Sequence, residues 1–230
     1  MSRNKLDLER IVFIGRTFEE YLRMFNLQRG ELEGRSILDC PAGACSFTAE
    51  ARKLGAASVA ADIAYYYSAE ALRDKGLKDI EHTVQQLDKV QDNFVWKEFT
   101  SIHALQQART AALAASTLDR QQNSSRYIPV ELPLLPFADR SFDLTLSAHF
   151  LFMYGDRLDY DFHLRTLQEL MRVTKSEIRI FPLVDLSSRR YHKLDQLVCA
   201  AQVQGWTAEE QQVPYEFQKG ADSMLRLLRV

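Results

Sequence analysis

Patterns typical of strands and of helices alternate along most of this chain, and this alternation restricts the possible folds more than any single motif. Short apolar runs predict strands, and apolar residues repeated at spacings of three and four predict the intervening helices. The predicted strands lie at 37–39, 57–62, 127–131, 142–148, 177–181, 206–213 and 224–230. Repeated strand–helix alternation is typical of a parallel sheet covered by helices and joined by right-handed crossovers. No helical pattern separates the last two strands. We therefore predict an α/β fold with a doubly wound, seven-stranded, mostly parallel sheet and an antiparallel C-terminal strand.

The remaining segments predict two helical additions within a single domain spanning 1–230. Residues 1–33 form a predicted N-terminal helical cap, in which Thr17 and Glu20 have the spacing of a capping box. Residues 83–126 exceed what a simple strand–helix–strand connection needs, so we predict a helical insertion there. Its helical stripe consists of Phe94, Trp96, Phe99, Ile102 and Leu105. The other predicted helices lie at 47–54, 68–82, 159–173 and 188–203.

Charge and composition narrow the class of partner. The 29 basic and 31 acidic residues give a net charge of −2, which offers no electrostatic attraction for nucleic acid. No segment approaches the roughly 20 apolar residues that a membrane helix needs. The first residues lack the apolar core of a signal peptide. We therefore expect a cytoplasmic protein whose partner is a small molecule rather than a nucleic acid or a membrane.

The cysteines and two isolated histidines give no metal signature. Cys40, Cys45 and Cys199 include no CxxC pair. Cys40 and Cys45 are close enough in sequence for a redox pair or half of a metal site, but we interpret them as small buried residues in a reducing compartment. His82 and His103 lack metal-ligand spacing, so the sequence predicts no metal site.

The stretch from Ile37 to Ser46 has the pattern of a strand, a tight loop and the start of a helix. The strand ends at Asp39, small residues and one glycine form the loop, and Ser46 is a candidate N-cap for a helix that Gly55 closes. Such a connection brings backbone N–H groups close to a ligand at the helix N-terminus.

A second acid, Asp62, ends the second predicted strand, 23 residues after Asp39. This agrees with the roughly 20-residue separation between a glycine-rich turn and a ribose-binding carboxylate in dinucleotide folds. Tyr65, Tyr66 and Tyr67 follow, where aromatic faces could pack on a base. Three consecutive tyrosines cannot all face one ligand, so we expect at least one to be structural.

These features resemble one family. Three strands ending in acids (Asp39, Asp62 and Glu131), followed by the stretch Leu135-Pro136-Phe137 and then Ser141-Phe142-Asp143, are similar to class I S-adenosylmethionine-dependent methyltransferases. Residues 34–230 resemble most the small-molecule enzymes of the ubiquinone-biosynthesis type, also called methyltransferase type 11. The resemblance implies S-adenosyl-L-methionine as cofactor, S-adenosyl-L-homocysteine as product, and methyl transfer to oxygen or carbon of a small acceptor.

The resemblance also implies a set of cofactor contacts. The family's first loop follows its acid with three alternating glycines, but here Pro41, Gly43 and Cys45 hold those positions, so only the middle glycine remains. Arg16 and Tyr21 are candidates for a lid over the ligand, although a simple packing helix is the alternative. The expected contacts are Arg16, Tyr21, Asp39, Pro41, Ala42, Gly43, Asp62, Ile63, Glu131, Leu132 and Ser147.

Methylation of a hydroxyl requires a base, and His149 is the candidate because it follows the fourth predicted strand at its carboxyl end. The alternative is a histidine that is merely hydrogen-bonded at the sheet edge. His163 on the next helix could orient the substrate or His149, and Tyr154 and Asp156 are further candidates. The D/N-P-P-Y motif of amino-group methyltransferases is absent.

Two other functions remain open at this stage. The altered loop is compatible with a catalytically inactive scaffold or sensor, although three retained acids argue against it. An NAD-dependent oxidoreductase would share the first strand, loop and helix. The absence of G-x-G-x-x-G and the antiparallel C-terminal pair disfavour it.

Overall fold

The computed structural model describes residues 12–87 and 90–230. Within them the helices are α1 (Phe18–Met24), α2 (Phe47–Lys53), α3 (Ala69–Leu87), α4 (Ile102–Gln122), α5 (Tyr160–Val173) and α6 (Leu194–Val203). The strands are β1 (Ser36–Asp39), β2 (Ala57–Asp62), β3 (Tyr127–Pro129), β4 (Phe142–Ala148), β5 (Thr174–Phe181), β6 (Trp206–Gln212) and β7 (Ser223–Arg229). No helix in this part of the chain is long and apolar enough to cross a membrane.

All seven strands form one sheet in the order β3-β2-β1-β4-β5-β7-β6. Strands β1 to β5 run parallel, whereas β7 is antiparallel to both β5 and β6. The predicted fold class is therefore confirmed, including the antiparallel C-terminal pair.

Each face of the sheet carries its own apolar core. Side chains alternate along a strand, so Ile37 of β1 packs on one face and Leu38 on the other. On the first face, Phe18 and Phe47 bring α1 and α2 against the sheet. On the second face, Leu170 of α5 is fully buried among residues of the same cluster as Leu38. Helices on both faces leave the strand ends as the accessible edge.

The structure confirms some of the predicted helix caps and not others. The Thr17 side chain accepts a hydrogen bond from the Glu20 amide, and the Glu20 carboxylate accepts one from the Thr17 amide. These two bonds confirm the capping box before α1. Ser46 precedes α2 but makes no side-chain cap, so that prediction was wrong. Gly55 has a φ of 85°, as a residue closing α2 requires. The predicted helical residues 5–11 lie outside the described residues.

The insertion predicted at 83–126 has a different layout. Helix α3 continues to Leu87, α4 begins only at Ile102, and the predicted stripe is not one helix. Its aromatic residues Phe94, Trp96 and Phe99 instead lie before α4, where their rings all contact Phe217 at 4.8–5.5 Å between centroids. Contacts with Phe217, which is distant in the sequence, thus influence the conformation of a segment that the periodicity predicted to be a helix.

Two other predicted boundaries were wrong. The helix predicted from 188 begins at Leu194, because the chain before it pairs with itself: the Tyr191 amide donates to the Leu183 carbonyl at 2.9 Å. Ser188 has a φ of 59°, which a helix cannot contain. Strand β3 ends at Pro129 rather than at 131, and it lies at the edge of the sheet, where proline is tolerated.

Candidate functional site

The loop between β1 and α2 lies at the carboxyl edge of the sheet, where the strand order reverses between β1 and β4. Its first residue extends the sheet, because the Cys40 amide donates to the Leu146 carbonyl at 2.9 Å. The Ala42 amide donates to the Ala61 carbonyl at 3.0 Å, which ties the loop to β2. Gly43 then has a φ of 54°, a left-handed conformation that favours glycine. The one glycine retained in the loop therefore stands where the backbone requires it.

Asp62, at the end of β2, binds this loop through its carboxylate. One carboxylate oxygen accepts the Gly43 amide at 2.8 Å, and the other accepts the Ala64 amide at 2.8 Å. Burial raises the pKa of Asp62, although these two N–H groups act in the opposite direction. Tyr65 also holds the loop, since its hydroxyl donates to the Gly43 carbonyl at 2.8 Å. Tyr65 is thus structural, as expected for at least one residue of the tyrosine run.

A cavity of about 550 Å³, the large cavity, lies at this edge of the sheet. Most of the residues expected to contact a cofactor line it: Arg16, Pro41, Ala42, Gly43, Asp62, Ile63, Glu131 and Leu132. They come from four separate parts of the chain, namely the segment before α1, the loop after β1, the end of β2 and the segment after β3. The fold thus brings together residues that are up to 116 positions apart in the sequence.

Three expected contacts lie outside the large cavity. Tyr21 and Asp39 are fully buried beneath the loop, where the Tyr21 hydroxyl donates to Oδ1 of Asp39 at 3.1 Å. Burial raises the pKa of this carboxyl group well above its usual range. Tyr21 also stacks on Phe47 at 5.0 Å between centroids, so it belongs to the core and the lid role was wrong. Ser147 is likewise buried and lines neither this cavity nor the one described next.

A second, smaller cavity of about 130 Å³, the small cavity, adjoins the large one. The residues that line both are Val12, Ile14, Arg16, His149 and Tyr154. The rest of the small cavity is mainly apolar, with side chains from α3, α4 and the connection between β6 and β7. Two binding spaces of different size therefore share one short wall.

His149 occupies this shared wall in an unusual conformation. Its φ is 52°, and its amide donates to the Phe181 carbonyl at 2.7 Å, which continues the pairing of β4 with β5. Its Nδ1 atom is buried and has no hydrogen-bond partner among the described residues. Burial and the charges of Arg16 and Arg109 lower the pKa of His149 well below 6.5, so the ring is neutral near pH 7. A neutral imidazole at this position can accept a proton.

The second histidine considered for catalysis has another environment. His163 is buried in α5 and lines neither cavity. Its Nδ1 lies 2.6 Å from the Asp159 carbonyl and its Nε2 lies 2.9 Å from the Leu151 carbonyl. Tyr191 stacks on its ring at 4.6 Å between centroids. Because both ring nitrogens contact the backbone, His163 holds the chain after β4 against α5, and its assignment as a catalytic residue was wrong.

The segment before α1 packs on the loop through backbone atoms. A Cβ atom added to Gly15 would lie 1.9 Å from the Ala44 carbonyl oxygen, so only glycine allows this approach. The next amide, of Arg16, donates to Sγ of Cys45 at 3.2 Å, and the Arg16 carbonyl accepts the Ser46 amide at 3.1 Å. Burial raises the pKa of the Cys45 thiol to about 12. Cys45 thus replaces a loop glycine with a structural contact, and both loop cysteines are buried as expected.

Comparison with known proteins places the chain in a family. The protein MJ0045 of Methanocaldococcus jannaschii is 34% identical to it over 225 residues, which cover 97% of this chain and 99% of the archaeal protein. The chain belongs to the MJ0045 family. That relative carries the description "uncharacterized protein", and no family model matches the chain.

Solved structures show which fold this member of the MJ0045 family has. The magnesium protoporphyrin IX methyltransferase of Synechocystis, solved with bound S-adenosylmethionine, superposes with a TM-score of 0.50 at 11% identity. The alignment covers 87% of this chain and 73% of that one. An S-adenosylmethionine-dependent methyltransferase of Aquifex aeolicus gives a TM-score of 0.46 at 14% identity, with 92% and 93% covered. Together with the strand order, the Synechocystis structure shows the class I methyltransferase fold.

One polar cluster of this MJ0045-family chain was missed in the sequence. Glu20 of α1 accepts two hydrogen bonds from Arg109 of α4, at 2.5 and 2.9 Å, and a third from the Tyr215 hydroxyl at 2.8 Å. All three residues are buried, and Arg109 and Tyr215 line the small cavity. Arg109 lies within a strongly helix-forming run, and a cation in an otherwise apolar helix face was the only available signal. In the described part of the chain, no group of histidine, cysteine and acidic residues could hold a metal ion.

Proposed function

We propose that this chain is an S-adenosylmethionine-dependent methyltransferase that acts on a small-molecule acceptor. The observation that carries the proposal is the large cavity, since it gathers the loop after β1, Asp62 and Glu131 at the carboxyl edge of a class I methyltransferase sheet. In open α/β sheets, ligands bind at this edge where the strand order reverses. The bound cofactor in the Synechocystis structure of the same fold supports the proposal.

The lining of the large cavity suits this cofactor. Its volume of about 550 Å³ lies within the range typical of small-molecule and cofactor sites. Each oxygen of the Asp62 carboxylate accepts one backbone N–H and retains a further lone pair. Those lone pairs can accept ribose hydroxyls, Glu131 and Leu132 would border the adenine, and Gly43 would border the methionine part. Bound S-adenosylmethionine would supply a methyl group made electrophilic by the sulfonium.

The chain's own contribution would be alignment, exclusion of water and proton removal. We propose that the acceptor occupies the small cavity and that transfer is directed to oxygen or carbon. His149 would be the base, because it lies in the wall shared by both cavities, is neutral near pH 7, and has an unpartnered Nδ1. Tyr154 lines the same wall and would help to position the acceptor.

Calorimetric titration with S-adenosylhomocysteine tests the cofactor site. We expect binding near micromolar affinity, and a loss of about 10- to 100-fold in Asp62→Ala, the magnitude of a lost hydrogen bond to a charged group. Asp74→Asn is the control, since Asp74 is an exposed acid that pairs with Arg73 on α3 and lines neither cavity. A folded protein that binds NADH but not S-adenosylhomocysteine would overturn the proposal. A protein that binds neither would instead leave a scaffold role.

A further inference from the structure

We infer that the small cavity recognises a monoanionic carboxylate on a compact apolar molecule, and that Arg16 is the residue that binds it. This inference rests on the proposed function, because it names the class of acceptor that would be methylated.

The charge of Glu20 acts to raise the pKa of Arg16, but the Arg16 guanidinium forms no direct pair with an acid within residues 12–87 and 90–230. No ion pair among these residues includes it, and its Nε atom is buried without a hydrogen-bond partner there. Burial and the neighbouring charge of Arg109 lower its pKa, but arginine remains charged at neutral pH. Arg16 is half-buried and has no ion-pair partner of its own among the described residues, and proteins usually keep such a cation where it binds something.

The carboxylate of Glu20, the acid near Arg16, already accepts hydrogen bonds from other residues. Glu20 accepts five hydrogen bonds: two from Arg109, two from Thr17 and one from the Tyr215 hydroxyl. Arg109 and Glu20 therefore neutralise each other, and Arg16 leaves one net positive charge beside the cavity. A single excess charge matches a carboxylate better than a dianionic phosphate monoester.

Much of the lining of the small cavity is apolar. Ile80 and Val84 of α3, Leu105 of α4, and Met153 and Phe217 contribute aliphatic, thioether and aromatic surface. The volume of about 130 Å³ is close to that of an engineered apolar cavity of about 150 Å³ that binds benzene. The ligand thus combines a body the size of one ring with a carboxylate at one end.

Matched acids and amides test this inference. We would titrate the protein with benzoate and phenylacetate, and with benzamide and phenylacetamide, which have the same shape without the charge. Each titration would be made with and without saturating S-adenosylhomocysteine. At least one acid is expected to bind ten or more times as tightly as its amide. Equal affinities, or no binding of either acid, would overturn the inference.

Variants locate the effect at Arg16. Arg16→Gln is expected to reduce the acid preference to within twofold, and Arg16→Lys to retain at least a threefold preference. Arg23→Gln is the control, because Arg23 lies on the adjacent helix, pairs with Glu98 and lines neither cavity. A preference that persists in Arg16→Gln, or disappears in a folded Arg16→Lys, would contradict the assignment.

Two readouts separate this inference from a purely structural role and from the proposed function. A purely structural role of Arg16 would lower the melting temperature of Arg16→Gln and leave the ratio of acid to amide affinity unchanged, whereas a ligand-binding role changes that ratio. The titration with S-adenosylhomocysteine alone reports on the methyltransferase proposal. A protein that prefers acids but does not bind this cofactor product would keep the carboxylate site and lose the methyltransferase role.

Discussion

At the scale of single residues, His149 shows how the fold shapes a chemical group. A residue other than glycine in the left-handed region costs about 1–3 kcal/mol, and the pairing of its amide with Phe181 holds it there. The charges of Arg16 and Arg109 act on its ring, and the Phe181 ring lies 5.4 Å away between centroids. Burial and the two cations disfavour a protonated imidazole, so the ring is neutral near pH 7.

This environment predicts a pH dependence of stability. Since the folded-state pKa of His149 is depressed, the unfolded chain binds a proton below pH 6.5 that the folded chain does not. The free energy of unfolding of the wild type should therefore fall relative to His149→Gln as the pH decreases below 6.5. The limiting slope is about 1.4 kcal/mol per pH unit. Urea unfolding of both proteins at pH 7.5, 6.5 and 5.5 measures it, and parallel curves would contradict the prediction.

Sequence reasoning succeeded for residues whose position follows from the chain itself. Asp62 and Gly43 were placed at the carboxyl edge of the sheet because a strand end and a tight turn are local features. Both line the large cavity, and their contact with a cofactor stays a prediction. His163 was misassigned because tertiary packing brings the Leu151 carbonyl to its Nε2, while its Nδ1 contacts the Asp159 carbonyl one helical turn earlier. Arg109 was missed for the same reason, since its carboxylate partner lies 89 residues away.

At the scale of elements, the contact between residues 15–16 and the loop after β1 explains the loop's departure from the expected glycines. The resemblance predicted glycine at the position of Cys45. Here the thiol instead accepts the Arg16 amide, and the segment before α1 covers the loop. The sequence could not reveal this exchange, because Gly15 and Cys45 lie in different predicted elements.

Gly15→Ala tests that contact. An added methyl group would meet the Ala44 carbonyl at 1.9 Å, so either the segment or the loop must move. We expect a loss of about 1–3 kcal/mol in the free energy of unfolding, as for other overpacked sites, and weaker binding of S-adenosylhomocysteine. Gly30→Ala is the matched control, because a Cβ there meets no atom within 4 Å. Equal stability of the two variants would show that the contact is unimportant.

At the scale of the whole molecule, the buried cluster of Glu20, Arg109 and Tyr215 joins three distant parts of the chain: α1, α4 and the connection between β6 and β7. Burial alone would raise the pKa of Glu20, but Arg109 outweighs it and the pKa falls to about 2. The alternation of strands and helices predicted the sheet correctly. The cluster that links α1 to the connection between β6 and β7 could not be predicted in this way, because no local sequence pattern indicates it.

Glu20→Gln should therefore destabilise the protein strongly. Leaving Arg109 buried without its carboxylate is expected to cost about 3–5 kcal/mol at pH 7. Because the folded pKa of Glu20 lies below its unfolded value of 4.5, its stabilising effect is present above pH 4.5 and is lost as the pH falls toward 2. The difference between variant and wild type in urea unfolding should shrink over that range. Glu19→Gln is the control, since Glu19 is exposed and pairs with the exposed Arg29.

The wall shared by the two cavities has a thermodynamic consequence. Val12, Ile14 and Arg16 border both spaces, so a ligand that displaces this wall from one side alters the free energy of binding on the other. Linkage requires the effect to be reciprocal: each ligand changes the dissociation constant of the other by the same factor. If a compound fills the small cavity and displaces this wall, the dissociation constant of the cofactor will therefore change. That change can be measured before any turnover is observed.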